Sequence, residues 1–218
     1  MSSAPGDLRA AIGERLVLAT HNKGKIAEFD TLLAPLGITV VSAGALGLPE
    51  PEETGTTFAE NAALKAEAAS TATGLPALAD DSGVTVEALG GDPGIYSARW
   101  AGPEKDFGLA MRKVLDGLAA AGATTPDRRR AAFVACLALA LPGRPTIFIE
   151  GRCDGVVPDA PRGPNGFGYD PLFVPDDGDG RTFGEMTGEE KSGGPAPLSH
   201  RARAVAMFVE KLGGRPTS

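Results

Sequence analysis

Cysteine, histidine and aromatic residues are scarce in this chain, and each scarcity narrows the chemistry. Among 218 residues there are two Cys, two His, one Trp and two Tyr. Cys136 and Cys153 both lie in strand-like apolar stretches, where buried free thiols are expected rather than a disulfide. His21 and His200 are the only histidines, so a His/Cys zinc site is not expected. No G-x-x-x-x-G-K-[ST] run is present, no G-x-S-x-G elbow surrounds Ser82, and there is no internal repeat. No apolar run approaches the length of a membrane span. Residues 1–14 lack the apolar core of a signal peptide and read as a frayed or weakly helical lead-in, so a cytoplasmic location is expected. Positive charge is also in short supply: 21 Lys and Arg face 28 Asp and Glu, for a net charge of −7. That balance argues against nucleic acid as a partner. An acidic protein that handles an anion must concentrate its few cations locally or borrow a metal.

What is present is an alternation of short apolar runs and helical patterns. With 42% hydrophobic residues the chain has room for one large α/β domain or two small lobes. Arg15–Ala19 reads as a first strand and runs into Thr20, His21, Asn22, Lys23, Gly24 and Lys25. A helix follows, with Ile26, Phe29, Leu32, Leu33 and Leu36 on one side and Gly37 as its stop. A strand that delivers a hydroxyl, an amide and two lysines to a helix N-terminus suits an anion, and a solvated loop is the plainer alternative. Ile38–Val41 reads as a second strand. Thr57–Glu60 fits a capping box for an Ala-rich helix reaching about Thr73, with Asn61 and Lys65 on one face and Glu53 just upstream.

Leu75–Ala79 reads as a buried strand that stops at Asp80, Asp81, Ser82 and Gly83. In an open α/β sheet ligands bind beyond the carboxyl ends of strands, where this tetrad is expected. Because strand side chains alternate, both carboxylates can face one ligand only if the strand has ended, and Gly83 gives the freedom to end it. Val84–Ala88 then reads as a separate strand, and Gly90–Gly94 as a turn. Arg99 beside aromatics suits either a phosphate or a ring. Glu104–Ala121 reads as an amphipathic helix, and 131–140 with 146–151 as a hairpin joined by Pro142–Pro145. Asp176–Gly180 lacks a suitably spaced Glu and reads as an acidic surface loop rather than a calcium site. Further on, Gly163–Pro171 combines glycines with Phe167, Tyr169 and Asp170, a composition able to bring an aromatic face against a planar base. Ser199 is expected to cap a last helix, with His200 and Arg201 in its first turn, where cations call for an anion or an electron-rich ligand atom.

Seven motifs occur in order: Thr20-x-Asn22-x-Gly24-Lys25, Phe58-x-Glu60-Asn61-Ala62-x-x-Lys65, Ala79-Asp80-Asp81-Ser82-Gly83, Pro93-Gly94-Ile95-Tyr96-Ser97-Ala98-Arg99, Gly166-Phe167-Gly168-Tyr169-Asp170-Pro171, Glu190-Lys191 and Ser199-His200-Arg201. Together they closely resemble the inosine triphosphate pyrophosphatase family, the bacterial dITP/XTP pyrophosphatases, over about residues 16–212. The resemblance implies an α/β fold: an elongated mixed β-sheet flanked by helices, with two lobes and a central nucleotide cleft, formed by residues 15–213 as one domain. It also implies Mg²⁺-dependent hydrolysis of ITP, dITP and XTP to the monophosphate and pyrophosphate, and a homodimer. Carried over by motif, Thr20, His21, Asn22, Lys23, Gly24, Lys25 and Lys65 would bind phosphate. Asp81 would be general base and metal ligand, with Glu53 as second ligand and Asp80 nearby. Ser82, Phe167, Gly168, Tyr169, Asp170, Lys191, His200 and Arg201 would line the nucleotide. The chain departs from the family at His21, where glycine is frequent, and in a longer spacer between Lys191 and Ser199. A related pyrophosphatase with another base preference, such as modified pyrimidines, and a non-catalytic nucleotide-binding module are the competing expectations.

Overall fold

The structure, a computed structural model, describes residues 5–213 apart from Pro195. Its elements in chain order are α1 (Pro5–Ile12), β1 (Arg15–Leu18), α2 (Lys23–Leu33), β2 (Thr39–Ser42), α3 (Phe58–Thr73) and β3 (Ala77–Val86). Next come α4 (Ser97–Trp100), α5 (Phe107–Ala120), β4 (Arg130–Ala140), β5 (Ile147–Val156), β6 (Val174–Pro175), α6 (Gly188–Ser192) and α7 (His200–Lys211). The strands form one sheet in the order β2-β1-β3-β4-β5-β6. β1 is parallel to β2 and to β3, whereas β5 and β6 are antiparallel, so the sheet is mixed and the fold α/β. β4 is buried along nearly its whole length, while β5 alternates buried and exposed residues as a strand with one wet face does. No helix is long and apolar enough to cross a membrane among the described residues.

The described chain divides into two compact units, 5–81 with 135–151 and 204–213, and 82–134 with 152–203. In the first, Leu16, Leu18, Phe29, Leu33, Leu78, Leu137, Leu139 and Phe208 form the main core. Leu8 and Ile12 join it: of the lead-in expected to be frayed or weakly helical, Pro5–Ile12 form the helix α1, whose two large apolar residues lie one turn apart on one face. A second layer is built of small residues: Ala62, Ala66 and Ala69 of α3 meet Ala77, Ala79, Ala138 and Ala140. Side chains this short let α3 lie close to the sheet, which brings Lys65 within reach of β3. The second unit is centred on Phe133, Phe173, Phe183, Leu172 and Met186 with the buried face of α5, Ala110, Val114 and Leu118. Phe173 packs with ring centroids 4.8 Å from Phe133 and 5.2 Å from Phe183, and truncating such a ring to alanine costs about 3–5 kcal/mol.

Three expectations need correcting. The strand does not stop at Asp80: β3 continues through Asp80, Asp81, Ser82 and Gly83 to Val86, buried at all but Ser82 and Thr85. β3 lies between β1 and β4 in the sheet, and this tertiary setting overrides the turn chemistry of the tetrad. The capping box is half formed. Thr57 Oγ1 accepts from Glu60 N at 3.1 Å, but Glu60 turns to Thr56, accepting from its amide at 2.6 Å and its hydroxyl at 2.9 Å. The helix expected from Glu104 begins at Phe107, where Asp106 caps it by accepting from Leu109 N. Cys136 and Cys153 are free and buried, and burial pushes their thiols up to about 11 and about 12.

Candidate functional site

Because β3 remains a strand, its two aspartates point to opposite faces. Asp80 meets Lys25, whose ammonium lies 3.1 Å from Asp80 Oδ2 and also donates to the Asp80 carbonyl. Asp81 meets Lys65 at 2.8 Å through Oδ1, and the same Nζ donates to Glu53 Oε1 at 3.0 Å and to the Asp80 carbonyl at 3.3 Å. Lys65 and Asp81 are both buried, so these charges interact with little screening. Burial pushes the Asp81 carboxyl above its ordinary value, outweighing Lys65 and Lys25. Burial alone would depress Lys65, but Asp81 and Glu53 together hold its ammonium above the ordinary lysine range. The other oxygen, Asp81 Oδ2, is buried and has no hydrogen-bond partner among the described residues. Among those residues no group of three or more His, Cys, Asp or Glu could hold a metal ion. A pair of carboxylates with one buried oxygen lacking a partner nevertheless fits Mg²⁺, which takes one or two carboxylates and completes its shell with water and phosphate oxygens.

The first helix turn after β1 is more self-contained than expected. Asn22 caps α2 by accepting from Gly24 N at 2.9 Å and Lys25 N at 3.3 Å, so those two amides already have an acceptor. Thr20 Oγ1 accepts from Asn22 N, which fixes the cap, and Lys23 is exposed. His21 turns to the loop after β2, its Nε2 2.9 Å from the Leu48 carbonyl. Sequence reasoning missed what holds Glu53. Asn61, fully buried, accepts from Gly55 N at 2.8 Å, and a Cβ on Gly55 would stand 2.6 Å from that oxygen. The signal was its place one helical turn before Lys65.

The second unit assembles the remaining residues. Arg201, 3% exposed, donates from Nη2 to Ser82 Oγ at 2.9 Å, with its guanidinium 5.8 Å from the centre of the Phe167 ring. Phe167 is 43% exposed, so the ring retains open surface for a ligand. Its loop is pinned by Asp170, whose Oδ2 accepts from Phe167 N at 3.1 Å and from Lys191 Nζ at 2.9 Å. Gly166 is required there: its φ is +75° and a Cβ would lie 1.9 Å from Asp170 Oδ2. Tyr169 turns inward, donating to the Ser97 carbonyl at 2.9 Å, and burial raises its phenol well above the ordinary value. Gly168, at φ +68°, makes the turn that separates these two aromatics. The longer spacer does not displace Lys191, because the Lys191 carbonyl accepts from both Leu198 N and Ser199 N at 3.0 and 2.9 Å. Ser199 caps α7 through Ala202 N, as expected. The His200 ring lies 4.7 Å from Phe133 at an interplanar angle of 11°, a partner on β4 that no local pattern announces. Arg99 lies over the Tyr96 ring at 5.2 Å. The acidic loop is paired outward, Asp176 with Arg130, Asp177 with Arg203 and Asp179 with Arg181.

Comparison with known proteins adds a second line. The pattern that defines the Ham1 family matches residues 16–211. A protein of Brucella melitensis named dITP/XTP pyrophosphatase is 54% identical over 204 residues, covering 90% of this chain and 92% of its own. One of the same name from Bradyrhizobium diazoefficiens is 57% identical over 199 residues, covering 90% and 94%. Among solved structures, a HAM1 protein from Coxiella burnetii superposes with a TM-score of 0.82 at 39% identity, covering 91% of this chain and 98% of the other.

Proposed function

Because the chain belongs to the Ham1 family, we propose that it is a nucleoside triphosphate pyrophosphatase that hydrolyses the deaminated purine nucleotides dITP, ITP and XTP to the monophosphate and pyrophosphate. The name shared by relatives more than half identical supports the substrate class. Within the site, the observation that carries the reaction is the buried Asp81 carboxylate, paired with Lys65 through one oxygen and lacking a hydrogen-bond partner at the other.

Asp81 takes a proton from the water that attacks the α–β anhydride, and the pyrophosphate leaves. In the metal-free protein burial raises its pKa above the ordinary aspartate value. Asp81 and Glu53 would hold Mg²⁺. When bound, that ion supplies charge neutralisation on the phosphates and a more acidic water. Lys65 and Lys25 neutralise charge that develops on the phosphate oxygens, with Thr20, Asn22 and the start of α2 positioning the chain of phosphates. Phe167 stacks the base, and donors on Lys191, His200 and Arg201 satisfy a purine 6-keto oxygen. An adenine amino group would set donor against donor and leave buried groups unsatisfied.

A panel of ITP, dITP, XTP, ATP, GTP and dTTP with Mg²⁺, with products identified by phosphorus NMR, tests the proposal. Deaminated purines should lead and pyrophosphate should appear. Preference for dTTP would overturn the purine reading, and orthophosphate alone would overturn the bond assigned. A homodimer, implied by the resemblance, belongs to the same proposal and is read by light scattering as twice 22.2 kDa.

A further inference from the structure

Two carboxylates share one ammonium in the first unit. Lys65 Nζ stands 2.8 Å from Asp81 Oδ1 and 3.0 Å from Glu53 Oε1, and the side chains of Lys65 and Asp81 are under one-tenth exposed. A divalent ion that drew on these same two oxygens would have to come between them. The ammonium already stands there. Two cations cannot share that space in a site so poorly solvated, because their repulsion is barely screened. Lys65 is moreover tethered one helical turn from Asn61, which holds the Glu53 loop through Gly55, so it faces the carboxylates without any loss of translational freedom. Asp81 Oδ2 offers an incoming ion its first contact. Once displaced, the ammonium needs another anion, and the nucleotide brings three phosphates.

We propose that Lys65 is a built-in competitor for the divalent cation: it neutralises Asp81 and Glu53 in the metal-free protein, yields them when the cation enters, and passes to a phosphate oxygen of the nucleotide. The inference rests on the reading of Asp81 and Glu53 as metal ligands. Cation alone then binds weakly, and cation and triphosphate strengthen each other's binding by the same factor, as linkage demands.

The test is a titration of the nucleotide-free protein with Mn²⁺, the free ion being read by electron paramagnetic resonance. Lys65→Met removes the charge and keeps the apolar stem, and it should bind Mn²⁺ about tenfold tighter than the wild type. Lys65→Arg, which keeps a cation against both carboxylates, should show no such gain. Binding by Lys65→Met that equals or falls below wild type overturns the proposal. Should that variant fail to fold, the wild type decides. Acetylation of Lys65, followed by mass spectrometry, should rise when Mn²⁺ saturates the site, and unchanged acetylation with Mn²⁺ bound overturns the proposal. Asp81→Asn separates the two levels. If it loses Mn²⁺ while Lys65→Met gains nothing, competition fails and the ligand assignment stands. If it binds Mn²⁺ as the wild type does, the ligand assignment itself fails.

Discussion

The two clusters are built from opposite materials. In the first unit, Lys25, Lys65, Asp80 and Asp81 are charges held inside the protein, each engaged by an opposite charge at about hydrogen-bond distance. In the second, the working surface is a ring, Phe167, and the charges around it are side supports: Asp170 ties its loop to Lys191, and Arg201 ties it to Ser82. The difference teaches where each change should register. Buried charge acts on the reacting bond and has no substitute, so losses there fall on kcat. A stacking surface acts on the whole nucleotide alike before and during reaction, so losses there fall on KM.

The largest expected effect breaks the first cluster. Asp81→Asn keeps the shape of the side chain and removes both the base and a metal ligand, so kcat should fall by at least about 10³-fold, and triphosphate should bind more weakly in Mg²⁺ because the cation that strengthens it is lost. Unchanged turnover would move the base elsewhere. The second cluster gives the contrasting signature. Phe167→Ala should raise KM for ITP by about 10- to 100-fold, as expected from 1–3 kcal/mol of stacking, with kcat close to wild type. Gly166→Ala should give a similar KM change with the Phe167 ring still present, because a Cβ 1.9 Å from Asp170 Oδ2 forces the loop off its anchor. If either variant lowers kcat as much as Asp81→Asn does, the division between the clusters is wrong.

Much of this was legible in the chain, and what was not has a physical pattern. Glycine stops are legible because their signal is local: Gly74 in the left-handed region ends α3, and Gly37 closes the turn after α2, whereas the start of α5 at Phe107 rather than Glu104 is set by the Asp106 cap. Ser199 capped α7 as read. The acidic tetrad was misjudged in conformation because Asp, Ser and Gly favour turns locally, while strand pairing across the sheet decides the outcome. Asn22 could be placed beside the helix start but not seen to cap two of its amides. Partners contributed from distant sequence were illegible altogether: Phe133 against His200, and the Ser97 carbonyl that turns Tyr169 inward. Function was readable despite this because the motifs fix residue types, whereas geometry fixes only which of them touch.

The smaller predictions concern pH and set a buried carboxyl against an exposed one. Asp81 has a folded-state pKa raised above 3.8 by burial in the metal-free protein, and a bound cation would lower it, so the acid limb of activity should move to lower pH as Mg²⁺ is raised. Stability of the metal-free protein takes the opposite sign. The folded state holds the Asp81 proton more tightly than the unfolded one, so that contribution is present below 3.8 and is lost as pH rises through the raised value. Asp81→Asn should remove this slope from denaturation midpoints measured across the window. Glu190 is the reverse case. Arg181 and the Thr187 cap hold it down to about 2, from an ordinary 4.5, so its stabilisation is present above 4.5 and is lost as pH falls through about 2. Its side chain is exposed, and surface pairs contribute little. Glu190→Gln should therefore lower the melting temperature only slightly at pH 7, with the difference from wild type vanishing near pH 2. Since Glu190 caps α6, whose Lys191 is held independently by Asp170, the variant should leave KM for ITP unchanged. A rise in KM would mean that the cap of α6, rather than Asp170, positions Lys191 for the base.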